Sequence, residues 1–186
     1  MFKGYSKRFK NFIAIPKKLI DSKILKFLVK EGWCFKMSNQ KNLTVHSPNI
    51  ELSVELERID YDIASFVLSI NGQFISIILK EILDSNLCKI AIKSNISSLE
   101  NIPEKFITLD IAYEIVKIEC RLINKLPLKF HNEEFYCNAV IKNPLVIRYI
   151  PEDMITDRVA CECVKQDGRL LKYIPNSYIK YQSYSS

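Results

Sequence analysis

The sequence predicts an all-α fold, a solenoid-like array of about five 24-residue helical repeats. Three observations predict it. A proline returns at Pro103, Pro127, Pro151 and Pro175, each preceded by an apolar residue (Ile102, Leu126, Ile150, Ile174), and Leu79 takes its place one repeat earlier. Five residues after each such place stand Asp84, Thr108, Asn132 and Thr156, with Asp60 one repeat before, all side chains that cap a helix by accepting an orphan backbone N–H. Apolar pairs one turn apart then follow every cap, which gives a helix of about three turns a single apolar face.

Composition is compatible with this architecture. The 186 residues are 48% apolar and 26% charged, with four glycines and one tryptophan, which suits a globular helical chain better than a turn-rich β one. A chain of this length can bury a core. It has no continuous apolar run of the ~18 residues a bilayer span needs. The formal charge of +6 sits at one end. Residues 1–30 hold nine Lys or Arg against Asp21 alone, and the rest carries 18 basic and 20 acidic side chains, a net of −2. That balance argues against a nucleic-acid groove along the whole molecule and leaves a local basic patch.

Taken in order, residues 1–14 space Phe2, Tyr5, Phe9, Phe12 and Ile13 as on a helix, with Lys3, Lys7, Arg8 and Lys10 between them. Such a basic amphipathic segment either closes the end of the core or docks on a nucleic acid or an anionic membrane. Ile15-Pro16 opens a divergent repeat in which Asp21 is the cap and Glu31-Gly32 the stop. Residues 33–56 alternate at Trp33 to Met37, Leu43 to Val45 and Ile50 to Leu56, so a small β hairpin and an irregular helical repeat both fit. The expected division is thus 1–55 for the basic helix, divergent repeat and irregular segment, 56–179 for the array, and 180–186 for a tail.

Inside the array the core positions are Ile63, Ala64, Val67, Leu68; Leu87, Cys88, Ala91, Ile92; Ile111, Ala112, Ile115, Val116; Phe135, Tyr136, Ala139, Val140; and Val159, Ala160, Cys163, Val164. Helices stop at Asn71-Gly72, Asn95, Glu119, Asn143-Pro144 and Asp167-Gly168. Common two-helix repeats need about 33 to 47 residues, so each 24-residue repeat should hold one real helix and a short helical or 3₁₀ segment ending near the proline.

No catalytic motif appears: there is no phosphate loop, no Gly-x-Ser-x-Gly and no His-Glu-x-x-His. The chain therefore reads as a non-enzyme without cofactor or metal, although a site assembled from several repeats would escape motif reading. His131 replaces the Leu83, Ile107 and Ile155 of other repeats and reads as a core or edge residue. The six cysteines follow no disulfide spacing and read as reduced thiols used as small core residues, which points to a cytoplasmic setting. No apolar leader is visible, so export into a host cell would proceed without a cleavable signal peptide. What varies at one helix position expected to be exposed is Lys89, Tyr113, Cys137 and Cys161, the candidate interaction residues beside the N-terminal cations.

Ala139-Val140-x-Lys142-Asn143-Pro144 with Ile147-x-Tyr149-Ile150-Pro151, and Val164-Lys165-x-Asp167-Gly168 with Leu171-Lys172-Tyr173-Ile174-Pro175, carry a resemblance. They resemble an uncharacterised family of short helical repeats of the A-V-K-x-N-G-x-x-L-x-Y-V-P type, found in effectors of intracellular bacterial pathogens and in large viruses. The likeness is closest over residues 128–175, looser over 56–127 and weak before 56. It implies a protein-binding scaffold acting on a host or partner protein, and it carries over no catalytic residue.

Overall fold

The computed structural model describes residues 21–37, 43–47, 50–54 and 59–175. These residues are mostly helical. The chain divides into two compact bodies, Met1–Asn101 and Ile102–Ser186. Lys3, Lys7, Arg8 and Lys10, and the tail 180–186, lie outside the described residues.

The first body opens with α1 (Ser22–Lys30), whose start is fixed by the Asp21 carboxylate accepting the Ile24 N–H at 2.8 Å. Gly32 ends it at φ +88°, a left-handed turn that a side chain would strain. The chain then forms a three-stranded antiparallel meander of β1 (Cys34–Met37), β2 (Leu43–Ser47) and β3 (Ile50–Val54). Cys34 faces His46 in the first pair, and Leu43 faces Val54 in the second. So the β alternative holds for this stretch, with a third strand beyond a hairpin. Leu43 and Val45 are buried, and Phe35 packs edge-on against Phe66 and Phe74. α1 packs on α2 (Tyr61–Ile70), which packs on α3 (Ser85–Ser94).

The second body contains α4 (Leu109–Ile118), α5 (Glu133–Lys142) and α6 (Asp157–Gln166), stacked in chain order. From α2 onward every helix has ten residues and begins 24 residues after the last. Each is followed by a six-residue 3₁₀ segment: Gly72–Ile77, Ile96–Asn101, Cys120–Lys125, Pro144–Tyr149 and Gly168–Tyr173. A three-residue 3₁₀ turn after Pro103, Pro127 and Pro151, as at Glu104–Phe106, leads into the next cap.

The caps act as their side chains dictate. Asp60, Asp84 and Asn132 accept the N–H three residues on at 2.8 to 2.9 Å, and the Thr108 and Thr156 hydroxyls do so at 3.4 Å. The predicted core positions are buried throughout, except Val164, which is half-buried.

The division between the bodies falls inside the 24-residue array, after the 3₁₀ segment poorest in apolar side chains. Ile96–Asn101 buries Ser98 alone, where the other repeats have Phe74, Leu122, Val146 and Leu170. Ser98 is fully buried, and its hydroxyl finds no partner among the described residues.

Candidate interaction surface

Helices α2 and α3 run parallel, as do α4, α5 and α6, because hydrogen bonds join like ends. At the N-terminal ends the Tyr61 hydroxyl donates to Asp84 at 3.3 Å, and the Thr156 hydroxyl donates to Glu133. At the C-terminal ends Ser94 donates to the Leu68 carbonyl at 2.5 Å, Asn95 donates to the Asn71 side-chain oxygen at 3.2 Å, and Asn143 donates to the Val116 carbonyl at 3.1 Å.

The stop residues therefore have two tasks. The side-chain oxygens of Asn71, Asn95, Asn143 and Asp167 each accept the N–H two residues on, which turns the helix into the 3₁₀ segment. The amides of Asn95 and Asn143 meanwhile reach the preceding repeat. Glu119 departs from this. It makes no cap bond and is instead clasped by the Arg121 guanidinium through two bonds of 2.9 Å, which hold its carboxyl below the usual range.

Parallel stacking sorts charge as well as hydrogen bonds. Residues 102–175 carry eleven basic and eleven acidic side chains. The helix C-terminal turns and following 3₁₀ segments (117–125, 142–149, 165–173) hold eight of the cations and only two acids, Glu119 and Asp167. Both acids are bound by arginines, Asp167 by Arg169 at 2.9 Å. Lys117, Lys142 and Lys165 sit in last helical turns, where they complement the partial negative charge of the helix ends. Arg148 and Lys172 lie beyond that reach, on neighbouring 3₁₀ segments that pack side by side. The Arg148 guanidinium stands 5.9 Å from the Tyr149 ring centre and 5.2 Å from that of Tyr173, and the Lys172 ammonium lies 5.0 Å over Tyr173. Among the described residues neither cation forms an ion pair with a carboxylate, although the Lys172 charge helps hold the Asp167 carboxyl below its usual range. Cys120 adjoins this strip: burial pushes its thiol up, the Glu119 charge adds to the rise, and the Arg148 and Arg121 charges oppose it.

The four helix positions expected to vary at the surface are placed differently. Only Cys161 is exposed; Lys89 and Tyr113 are half-buried and Cys137 is buried. For Tyr113 and Cys137 the reason is direction, because this register faces the next helix. Tyr113 of α4 stacks on Phe135 of α5 at 5.0 Å with rings 8° apart, and its other neighbour is the Lys142 ammonium, 5.0 Å from the ring centre. Burial raises the Tyr113 phenol above its ordinary value, opposed by a hydrogen bond with Asn138. Cys137 faces α6, where burial pushes its thiol up while Arg158 opposes. Cys161 holds the same register on the last described helix.

All six cysteines are free thiols, but the small-core role fits only some of them. Cys88, Cys137 and Cys163 are buried, Cys120 is half-buried, and Cys34 and Cys161 are exposed. His131 occupies its apolar slot through a hydrogen-bonded pair. One ring nitrogen lies 2.8 Å from the Tyr136 hydroxyl and the other 3.0 Å from the Leu126 carbonyl. Because the carbonyl can only accept, Nε2–H donates to it and Nδ1 accepts from Tyr136. Tyr136 itself stands where other repeats have Ala64, Cys88, Ala112 and Ala160, so one repeat exchanges two core residues together. Among the described residues no His, Cys, Asp and Glu side chains group as a metal site would require. No described helix is long and apolar enough to cross a membrane.

Sequence reading missed the Arg148–Lys172 strip. Its signal was present in Arg148-Tyr149-Ile150-Pro151 and Lys172-Tyr173-Ile174-Pro175, a cation before a tyrosine at the same register twice. No protein-family model, curated protein or solved structure matches the chain.

Proposed function

We propose that the protein is a non-catalytic, protein-binding scaffold, a continuous array of 24-residue helical repeats of the kind its Tyr-Ile-Pro motifs resemble in effectors that act on a host or partner protein. One observation carries the reading. From Asp60 to Pro175 each recurring residue is used in folding, as cap, core, stop or link to a neighbour, and none of them forms a chemical site. Exposed differences between repeats lie on outward edges, such as Asp62, Asn86, Asp110, Glu134 and Arg158 at one helix register. Repeat proteins use such edges to bind extended surfaces.

The test is capture from a host-cell lysate, followed by titration of the purified captured protein against two variants. One reverses charge at Asp110, Glu134 and Arg158, and the other at Arg148 and Lys172. All five side chains are exposed, so both variants should keep the helical circular dichroism of the parent. Stoichiometric binding lost in at least one variant supports the scaffold. Binding that survives in both, or no stoichiometric binder at all, overturns it.

A further inference from the structure

We infer that the strip of 3₁₀ segments in the second body is a binding site for an extended acidic segment of a protein, read by Arg148 and Lys172. The inference rests on the scaffold reading and names the chemistry of its partner. Helix dipoles explain the lysines of the last helical turns, and Arg121 and Arg169 are occupied by Glu119 and Asp167. Arg148 is left with neither explanation, and Lys172 acts on Asp167 only through its charge, the ion pair there being made by Arg169. Both stand exposed on aromatic faces that fix their direction: Arg148 between Tyr149 and Tyr173, and Lys172 over Tyr173. A cation held on an aromatic ring loses less side-chain freedom on meeting an anion, so the site is pre-organised for carboxylates.

Spacing and charge select a peptide over other polyanions. Packed parallel elements repeat every ~10 Å, which matches carboxylates three residues apart on an extended chain rising about 3.3 Å per residue. A single-stranded nucleic acid would use aromatic faces to stack its bases, and here cations cover the tyrosines. Outside the strip, residues 102–175 carry nine acids against three cations, Lys105, Lys129 and Arg158, and would repel a polyanion or membrane larger than the strip.

A fluorescein-labelled decaglutamate peptide, a single-stranded decadeoxynucleotide and vesicles containing phosphatidylserine are titrated into the full chain at low ionic strength. The peptide should bind in a salt-sensitive manner, and R148E/K172E should weaken it by about tenfold or more. Gln in place of Lys3, Lys7, Arg8 and Lys10 should change it by no more than about twofold. Peptide binding unaffected by R148E/K172E, or lost with the N-terminal cations instead, overturns the inference. So does tighter binding of the oligonucleotide or vesicles with the same dependence on Arg148 and Lys172. If R148E/K172E still binds the captured protein while the Asp110, Glu134 and Arg158 variant does not, the strip fails and the scaffold stands. Loss of neither overturns both.

Discussion

Single residues in this protein are tuned by burial. Desolvation pushes the Cys88 thiol up to about 12 and that of Cys163 up to about 11, from an ordinary value of 9.0. Folding holds these protons that the unfolded chain would release. Their stabilising effect is complete below pH 9 and is lost as pH rises through the folded values. The midpoint of urea unfolding should therefore fall between about pH 9 and 11, and Cys88→Ala with Cys163→Ala should flatten that decline. Iodoacetamide on the native chain should label Cys161 and Cys34 first.

The His131 and Tyr136 pair makes a sharper residue-level test. Removing either partner strands a part-buried polar group, so His131→Leu and Tyr136→Phe should each cost about 1 kcal/mol. The double variant should cost less than their sum by about 1 kcal/mol in a denaturation cycle, and simple additivity would show that the bond contributes nothing. Ser98 gives the opposite sign. Its hydroxyl is buried without a described partner, so Ser98→Ala should leave stability unchanged or raise it by about 1 kcal/mol. A clear loss in the denaturation midpoint would reveal a hidden partner.

At the scale of the element, two glycines at one register separate local need from habit. A Cβ on Gly72 would lie 2.0 Å from the Ala91 carbonyl oxygen, backbone that cannot retreat without moving α3, whereas Gly168 has open space. Gly72→Ala should cost about 2 kcal/mol or more, and Gly168→Ala should be neutral or slightly stabilising, as read from thermal midpoints. Most of the elements were legible in the sequence because caps, stops and apolar pairs act within one turn of their own helix. Asp60, Thr108 and Asn143 declare themselves without reference to anything distant. What depended on a neighbour some 24 residues away was not legible. Tyr113 and Cys137 looked exposed because nothing in one repeat says that this register faces the next helix. Nothing in one repeat shows that Arg148 reaches the tyrosine of the next 3₁₀ segment, Tyr173, which Lys172 also covers. The third strand needed a partner on β2 that alternation alone could not assign.

At the scale of the whole molecule, the two compact bodies meet in sequence after a 3₁₀ segment that buries only a serine side chain. Trp33, the one tryptophan, lies in the first body, whereas helical circular dichroism reports on both. Urea transitions followed by tryptophan fluorescence and by far-ultraviolet dichroism should not coincide, as expected when stability is a sum over neighbours. Superimposable curves would show a single cooperative unit.

The bonds that join one helix end to the next have a consequence for how such a chain can change length. They link Leu68 to Ser94, Asn71 to Asn95, Val116 to Asn143 and Glu133 to Thr156, always one repeat apart. A duplication or loss of a whole multiple of 24 residues would keep caps beside caps and stops beside stops, and an increment out of that register would not. Changes of length in this helical run are therefore tolerated only in steps of 24 residues.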